Sequence, residues 1–167
     1  MAKVISFSLS SASVGHAIHE LEDYIDHVQR CTGELVKRLT ETGKTVAKVE
    51  VALMGAIDTG ELADSIGGYY SEATHTGFIY AGALYAIYVE YGTGIVGSHA
   101  QHPGGEGWDV GWSYDVNGHG EAGWSYISDR DGKLHWTKGM VSRPFMYETQ
   151  KELEGMCEDI FNQVFSK

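Results

Sequence analysis

Residues 14–54 read VGHAIHELEDYIDHVQRCTGELVKRLTETGKTVAKVEVALM, and the spacing of apolar positions in this stretch decides the fold. Leu21, Ile25, Val28, Thr32, Leu35, Leu39, Thr42, Val46, Val49 and Leu53 step by alternating fours and threes, which places them on one face of a single α-helix. Glu22, Asp26, Arg30, Lys37 and Lys48 fall off that seam. A seam this long packs either on the chain's own sheet or against a second helix in an inter-subunit coiled coil. Gly33 and Gly43 each weaken the helix by about 1 kcal/mol relative to Ala, so a kink or break is expected near one of them.

Outward from the helix the period changes. Residues 4–10 alternate, with Ile5, Phe7 and Leu9 on one face, and predict a short strand. After the helix, Asp58 or Thr59 is placed to cap a helical turn, with Glu61 as its capping-box partner, and Gly67-Gly68 to end it. Residues 69–73 and 78–81 flank Thr74-His75-Thr76-Gly77 and predict an antiparallel hairpin. Residues 83–91 predict a second, short helix stopped by Gly92.

From Gly92 to Trp124, ten of 33 residues are glycine, interleaved with Trp108, Trp112, Tyr114 and Trp124. Too aromatic for a flexible linker, this segment reads as a long ordered loop or extended hairpin. Residues 113–116 and 124–127 are its candidate strands, and residues 134–137 return the chain to the core. Pro144 suits the first turn of a closing helix, along which Met146, Leu153, Met156, Ile160 and Val164 recur at helical spacing. The order predicts an α+β fold: a long N-terminal helix and a C-terminal helix packed on one small antiparallel sheet. We read residues 1–167 as one domain, with residues 94–139 as an elaboration within it.

The formal charge of −11, from 12 basic and 23 acidic residues, argues against a protein that coats DNA, since that task needs basic patches. It fits equally a functional acidic surface or plain colloidal solubility. Cys31 and Cys157 both fall in helical stretches, which predicts reduced thiols in a cytosolic setting instead of a disulfide framework. No apolar run approaches the roughly 20 residues that span a bilayer. The alternating N-terminus is unlike a signal-peptide core.

Signatures of catalysis are sparse. His99, His102, Asp109, Asp115, His119 and Glu121 are the candidates for gathering around zinc, with His99 and His102 close enough for one loop to present both. His-Glu-x-x-His is absent, however, and loop histidines are commonly solvent-exposed. A Gly-x-Ser-x-Gly elbow is also missing, and Gly104-Gly105-Glu106-Gly107 lacks the Lys and Ser/Thr of a phosphate-binding loop. Glu90, between Tyr88 and Tyr91, has no partner acid marked out for glycoside chemistry. Lying on an apolar helix, it needs a buried partner, for which Arg143 is the best candidate, because an unpaired buried charge costs several kcal/mol.

Three motifs follow one another in fixed order. The first is Asp58-Thr59-Gly60-Glu61-Leu62-Ala63-Asp64-Ser65-Ile66. The second is Tyr85-Ala86-Ile87-Tyr88-Val89-Glu90-Tyr91-Gly92-Thr93, and the third is Arg143-Pro144-Phe145. Together they resemble the neck-protein family of long-tailed phages, small head–tail joining or tail-completion subunits, over nearly the whole chain. Residues 114–120 (YDVNGHG) and 136–140 (WTKGM) resemble a subgroup from phages and prophages of Gram-positive bacteria. One departure is Ile57, where the family carries Pro before Asp-Thr-Gly.

The resemblance implies a virion structural protein without catalytic, cofactor or metal residues. It implies a homo-oligomeric ring, a hexamer, made in the host cytoplasm and built into the virion between the head connector and the tail terminator or tube. Genomic DNA would touch it only in passing through the lumen. The alternatives are a non-enzymatic adaptor acting as monomer or dimer and, less favoured, a metal-dependent hydrolase using the His-bearing loop. In the ring reading Trp108, Trp112 and Trp124 are interface residues, partly exposed in one subunit and buried on assembly. The competing expectation is that they fold back over the subunit's own sheet.

Overall fold

The seam becomes one continuous helix, α1 (Ser11–Leu53), in a computed structural model that describes residues 4–104, 107–115, 117–128 and 130–166. Ser10 caps α1, its hydroxyl accepting from the Ser13 N–H. No break occurs at Gly33 or Gly43. Both are sites of close approach: a Cβ on Gly43 would sit 2.1 Å from Ile79 Cδ1 and 2.7 Å from Leu153 Cδ1. The propensity lost there is exchanged for tight packing of α1 on its neighbours.

After α1 come the single turn α2 (Glu61–Asp64) and a hairpin, β1 (Ile66–Ser71) with β2 (Thr76–Ala81), in register Ile66↔Ala81 to Ser71↔Thr76. Gly67 and Gly68 do not end a turn. They lie inside β1, Gly68 beneath the Lys44 stem of α1 and Gly67 beneath the cross-strand Tyr80 ring. Gly68, Gly77 and Ile79 face α1, whereas Tyr69, Phe78 and Tyr80 point outward and are more than half exposed. That alternation is the period-two pattern of a sheet covered on one side.

Two short helices follow, α3 (Ala86–Tyr91) and α4 (Gly94–His99). Sequence periodicity did not anticipate α4. A 3₁₀ turn (Gly120–Ala122) leads into a second hairpin, β3 (Trp124–Ile127) with β4 (Leu134–Thr137), and α5 (Phe145–Phe165) closes the order. The fold is α+β as expected, but with two separate two-stranded ribbons. The strand β4 does not return to the core: among the described residues it pairs with β3 only, and Leu134 and Trp136 are exposed. Residues 113–115 are not a strand, and Val116 lies outside the described residues.

Residues 4–8 adopt no regular structure, contrary to the strand expected for 4–10. A strand needs an edge to pair with, and the first hairpin meets α1 only from about Gly33 onward. That is roughly 30 Å along the helix from Ser10, at 1.5 Å per residue.

The core gathers where α1 ends. Ala47 and Val51 of α1 cluster with Leu62, Ile66, Ala83, Ala86, Val89 and Phe145. Motif one supplies Leu62 and Ile66, motif two Ala86 and Val89, and motif three Phe145. Among the described residues no helix is long and apolar enough to cross a membrane. Cys31 is buried and Cys157 exposed, both free.

Candidate functional site: the Glu90 junction and its aromatic loop

Helix α3 buries Ala86, Val89, Glu90 and Tyr91 and leaves Ile87 and Tyr88 on its open side. Gly92 ends it at φ 78°, donating its N–H to the Tyr88 carbonyl. A Cβ on Gly92 would lie 2.6 Å from the Ser142 nitrogen and 2.8 Å from the Met140 carbonyl oxygen, so only glycine lets the two segments meet. They are then stitched through the backbone. Thr93 and Met140 exchange N–H···O bonds at 2.9 and 3.1 Å, and the Arg143 N–H donates to the Val89 carbonyl at 2.8 Å.

This stitching aims the start of α5 at Glu90, which is 4% exposed. The carboxylate accepts the Met146 N–H on Oε2 at 2.9 Å and the Tyr147 N–H on Oε1 at 3.1 Å. Those are two of the four N–H groups that any helix leaves unpaired at its start, at the positive end of the α5 dipole. The third donor is His102 Nε2, 3.0 Å from Oε1. His102 Nδ1 accepts the Gly104 N–H at 3.0 Å, which fixes the neutral tautomer with its proton on Nε2. Burial pushes the Glu90 carboxyl above its usual range, and the Met146, His102 and Tyr147 donors pull against that shift.

Arg143 is therefore not the partner of Glu90. Pro144 turns the chain so that backbone donors and an imidazole reach the carboxylate, and Arg143 contributes only its backbone N–H to α3. Among the described residues no ion pair joins Arg143 to an acid. The first motif also differs from expectation. Gly60, at φ 90°, takes the N-cap place of α2, and no capping box forms. Thr59 Oγ1 accepts the Glu61 N–H at 3.3 Å, whereas Asp58 points to solvent, 3.8 Å from Arg130 Nη1. A left-handed Gly60 swings the Asp58 side chain away from the turn. Ser65 Oγ holds the Leu62 carbonyl at 2.8 Å.

The aromatic loop packs over the junction. Tyr91 stacks on His102 with centroids 4.5 Å apart, and His102 in turn stacks on Trp108 at 5.2 Å. Tyr147 meets both edge-on. Trp108 Nε1 donates to Gln150 Oε1 on α5, Trp112 Nε1 donates to the Gly92 carbonyl, and Trp124 stacks on His119. All three tryptophans are half-buried against their own chain. They cover α3, α4 and α5 and not the first sheet, and each stays partly exposed. On the second hairpin Trp136 is 60% exposed, on the face that carries Ile127 and Leu134, and Tyr126 is exposed on the other face. Between Tyr91, His102, Trp108, Trp112 and Tyr114 an open recess of about 600 Å³ remains.

The six residues considered for zinc do not come together. His102 is committed to Glu90, Asp115 accepts the His119 and Gly120 N–H groups, and Asp109 accepts the Gly111 N–H. Among the described residues no three His, Cys, Asp or Glu side chains converge on a point. Chemically, both His102 nitrogens and both Glu90 oxygens are engaged internally. The arrangement joins elements and offers no free ring nitrogen to a substrate.

The sequence marked Glu90 but not His102 as its partner. The readable signal was Pro144, which announces a helix start whose free N–H groups call for an acceptor. In comparisons with known proteins, no family model, curated protein or solved structure matches this chain.

Proposed function

We propose that this chain is a structural subunit of a phage neck, a head–tail joining or tail-completion protein that forms a ring between the head connector and the tail terminator or tube. The observation that carries the reading is its surface. The chain exposes 11001 Å², against about 8,100 Å² for a compact monomer of this mass. Exposed apolar side chains lie in patches on the α1 start, the outer face of the first hairpin, the open side of α3 and the second hairpin. Patches of that kind mark interfaces.

Two further features support it. The three motifs that carry the family resemblance meet in one core, and the second and third are also joined by the hydrogen-bonded junction. The net charge of −11 suits a lumen through which DNA must slide without sticking. A ring of six is the expected stoichiometry. Negative-stain images of the purified protein test the reading: closed rings support it, and uniform small particles at every concentration overturn it.

A further inference from the structure

Helix α5 runs antiparallel to α1. Phe145 clusters with Ala47 and Val51, and at the far end Cys31 Sγ donates to the Val164 carbonyl at 3.8 Å. Residues 11–30 therefore continue about 30 Å past the end of α5 as a helical arm, at 1.5 Å per residue. On this arm Ile18, Leu21 and Ile25 are each about half exposed, at 51, 51 and 53%. They prolong the stripe that further along buries Gly43, Val46 and Ala47. Glu22 and Asp26, one turn apart, edge the stripe, and residues 11–29 hold no Lys or Arg.

The other half of the same helix carries the complement. Lys44 and Lys48, also one turn apart, edge a groove of about 380 Å³ that Thr45, Val49 and Ala52 share in lining. Val49 is half exposed, and Leu53 beside it is open to solvent. Lys44 pairs with Glu41 of its own turn, and among the described residues Lys48 and Asp26 join no ion pair.

We propose that the arm of one copy lies on the Lys44–Lys48 face of the next, with Ile18, Leu21 and Ile25 on Val49, Ala52 and Leu53, and Glu22 and Asp26 opposite the two lysines. This rests on the ring reading and names the contact that builds the ring. A second copy is the occupant because both halves of the match, in charge, apolar content and spacing, belong to one chain. Such a contact joins two different faces, so it is heterologous and propagates head to tail until it closes. The surface in excess of a compact monomer exceeds the roughly 1,200–2,000 Å² that a stable interface buries.

Charge exchange tests it. One variant carries Glu22→Lys and Asp26→Lys, the other Lys44→Glu and Lys48→Glu, and each is measured by light scattering after size exclusion, with circular dichroism to verify folding. The wild type is expected to assemble, each variant alone to fall to the 18.3 kDa monomer, and an equimolar mixture of the two to recover the wild-type mass. Should the double lysine variant not fold, Lys48→Glu alone makes the same test, with at least a tenfold weaker assembly expected. Folded variants that assemble alone like the wild type, or a mixture that stays monomeric, overturn the arm contact and leave the ring reading standing. A wild type that never assembles overturns both.

Discussion

Glu90 shows how one side chain sets the relation between distant parts of the chain. Replacing it with Ala strips the acceptor from three part-buried donors, those of Met146, Tyr147 and His102. The expected cost is about 3 kcal/mol. Chemical denaturation measures it, and a loss below 1 kcal/mol would show that the junction is dispensable. The pH dependence has a definite sign. The folded-state carboxyl titrates above its usual range, so the folded protein holds this proton more tightly than the unfolded chain. Its contribution to stability is therefore present below the ordinary carboxyl range and is lost as pH rises towards the elevated folded value. Glu90→Gln removes that slope, so the stability difference between wild type and variant should shrink across this window. Gly60 and Asp58 separate at the same scale. Gly60→Ala should cost about 1–2 kcal/mol, because φ 90° is left-handed backbone. Asp58→Ala, at an exposed pair, should change stability by less than about 0.5 kcal/mol.

Among the elements, those with strong periodicity were legible. The helices α1, α3 and α5 and a hairpin between α1 and α3 stand where the apolar spacing puts them. The seam is not one buried face, however, since Leu21, Ile25, Val49 and Leu53 are exposed. Thr76 and Gly77, expected in the turn, lie in β2. What failed depends on partners that spacing does not encode. Residues 4–10 alternate as a strand does, yet no edge lies near them. Gly67 and Gly68 carry a turn's composition inside a strand, because Lys44 and Tyr80 fill the space their missing side chains leave. The partner of Glu90 was hidden because two of its three donors are backbone groups, common to every sequence. Glycine substitutions discriminate among these environments. Gly155 in α5 has no atom within 4 Å of an added Cβ, so Gly155→Ala should stabilise by about 0.5–1 kcal/mol through helix propensity. Gly92→Ala, which would press on fixed backbone at positive φ, should destabilise by about 2 kcal/mol or more. Equal effects at the two sites, read from denaturation midpoints, would contradict this account.

For the whole molecule, the second hairpin is the separable part. Its strands pair with each other, while the aromatic loop before it is tied into α3 and α5. Replacing residues 125–136 with a short Gly-Ser turn should leave the melting temperature within a few degrees of wild type. Under the proposed function it should abolish joining of heads to tails in a mixing assay. A variant that still joins them would move the interface off Tyr126, Leu134 and Trp136.

The junction also bears on when the fold can form. Glu90 meets its backbone donors 56 and 57 residues further along, and Phe145, 1% exposed, is needed to fill the core built from residues 47–89. Until α5 has emerged, the centre built from residues 47–89 lacks Phe145 and the Glu90 carboxylate lacks its backbone donors. Closing a loop of that size is entropically slow compared with helix or hairpin formation. Docking of α5 is thus a long-range step, and a chain without it exposes the core residues that the finished fold keeps to itself.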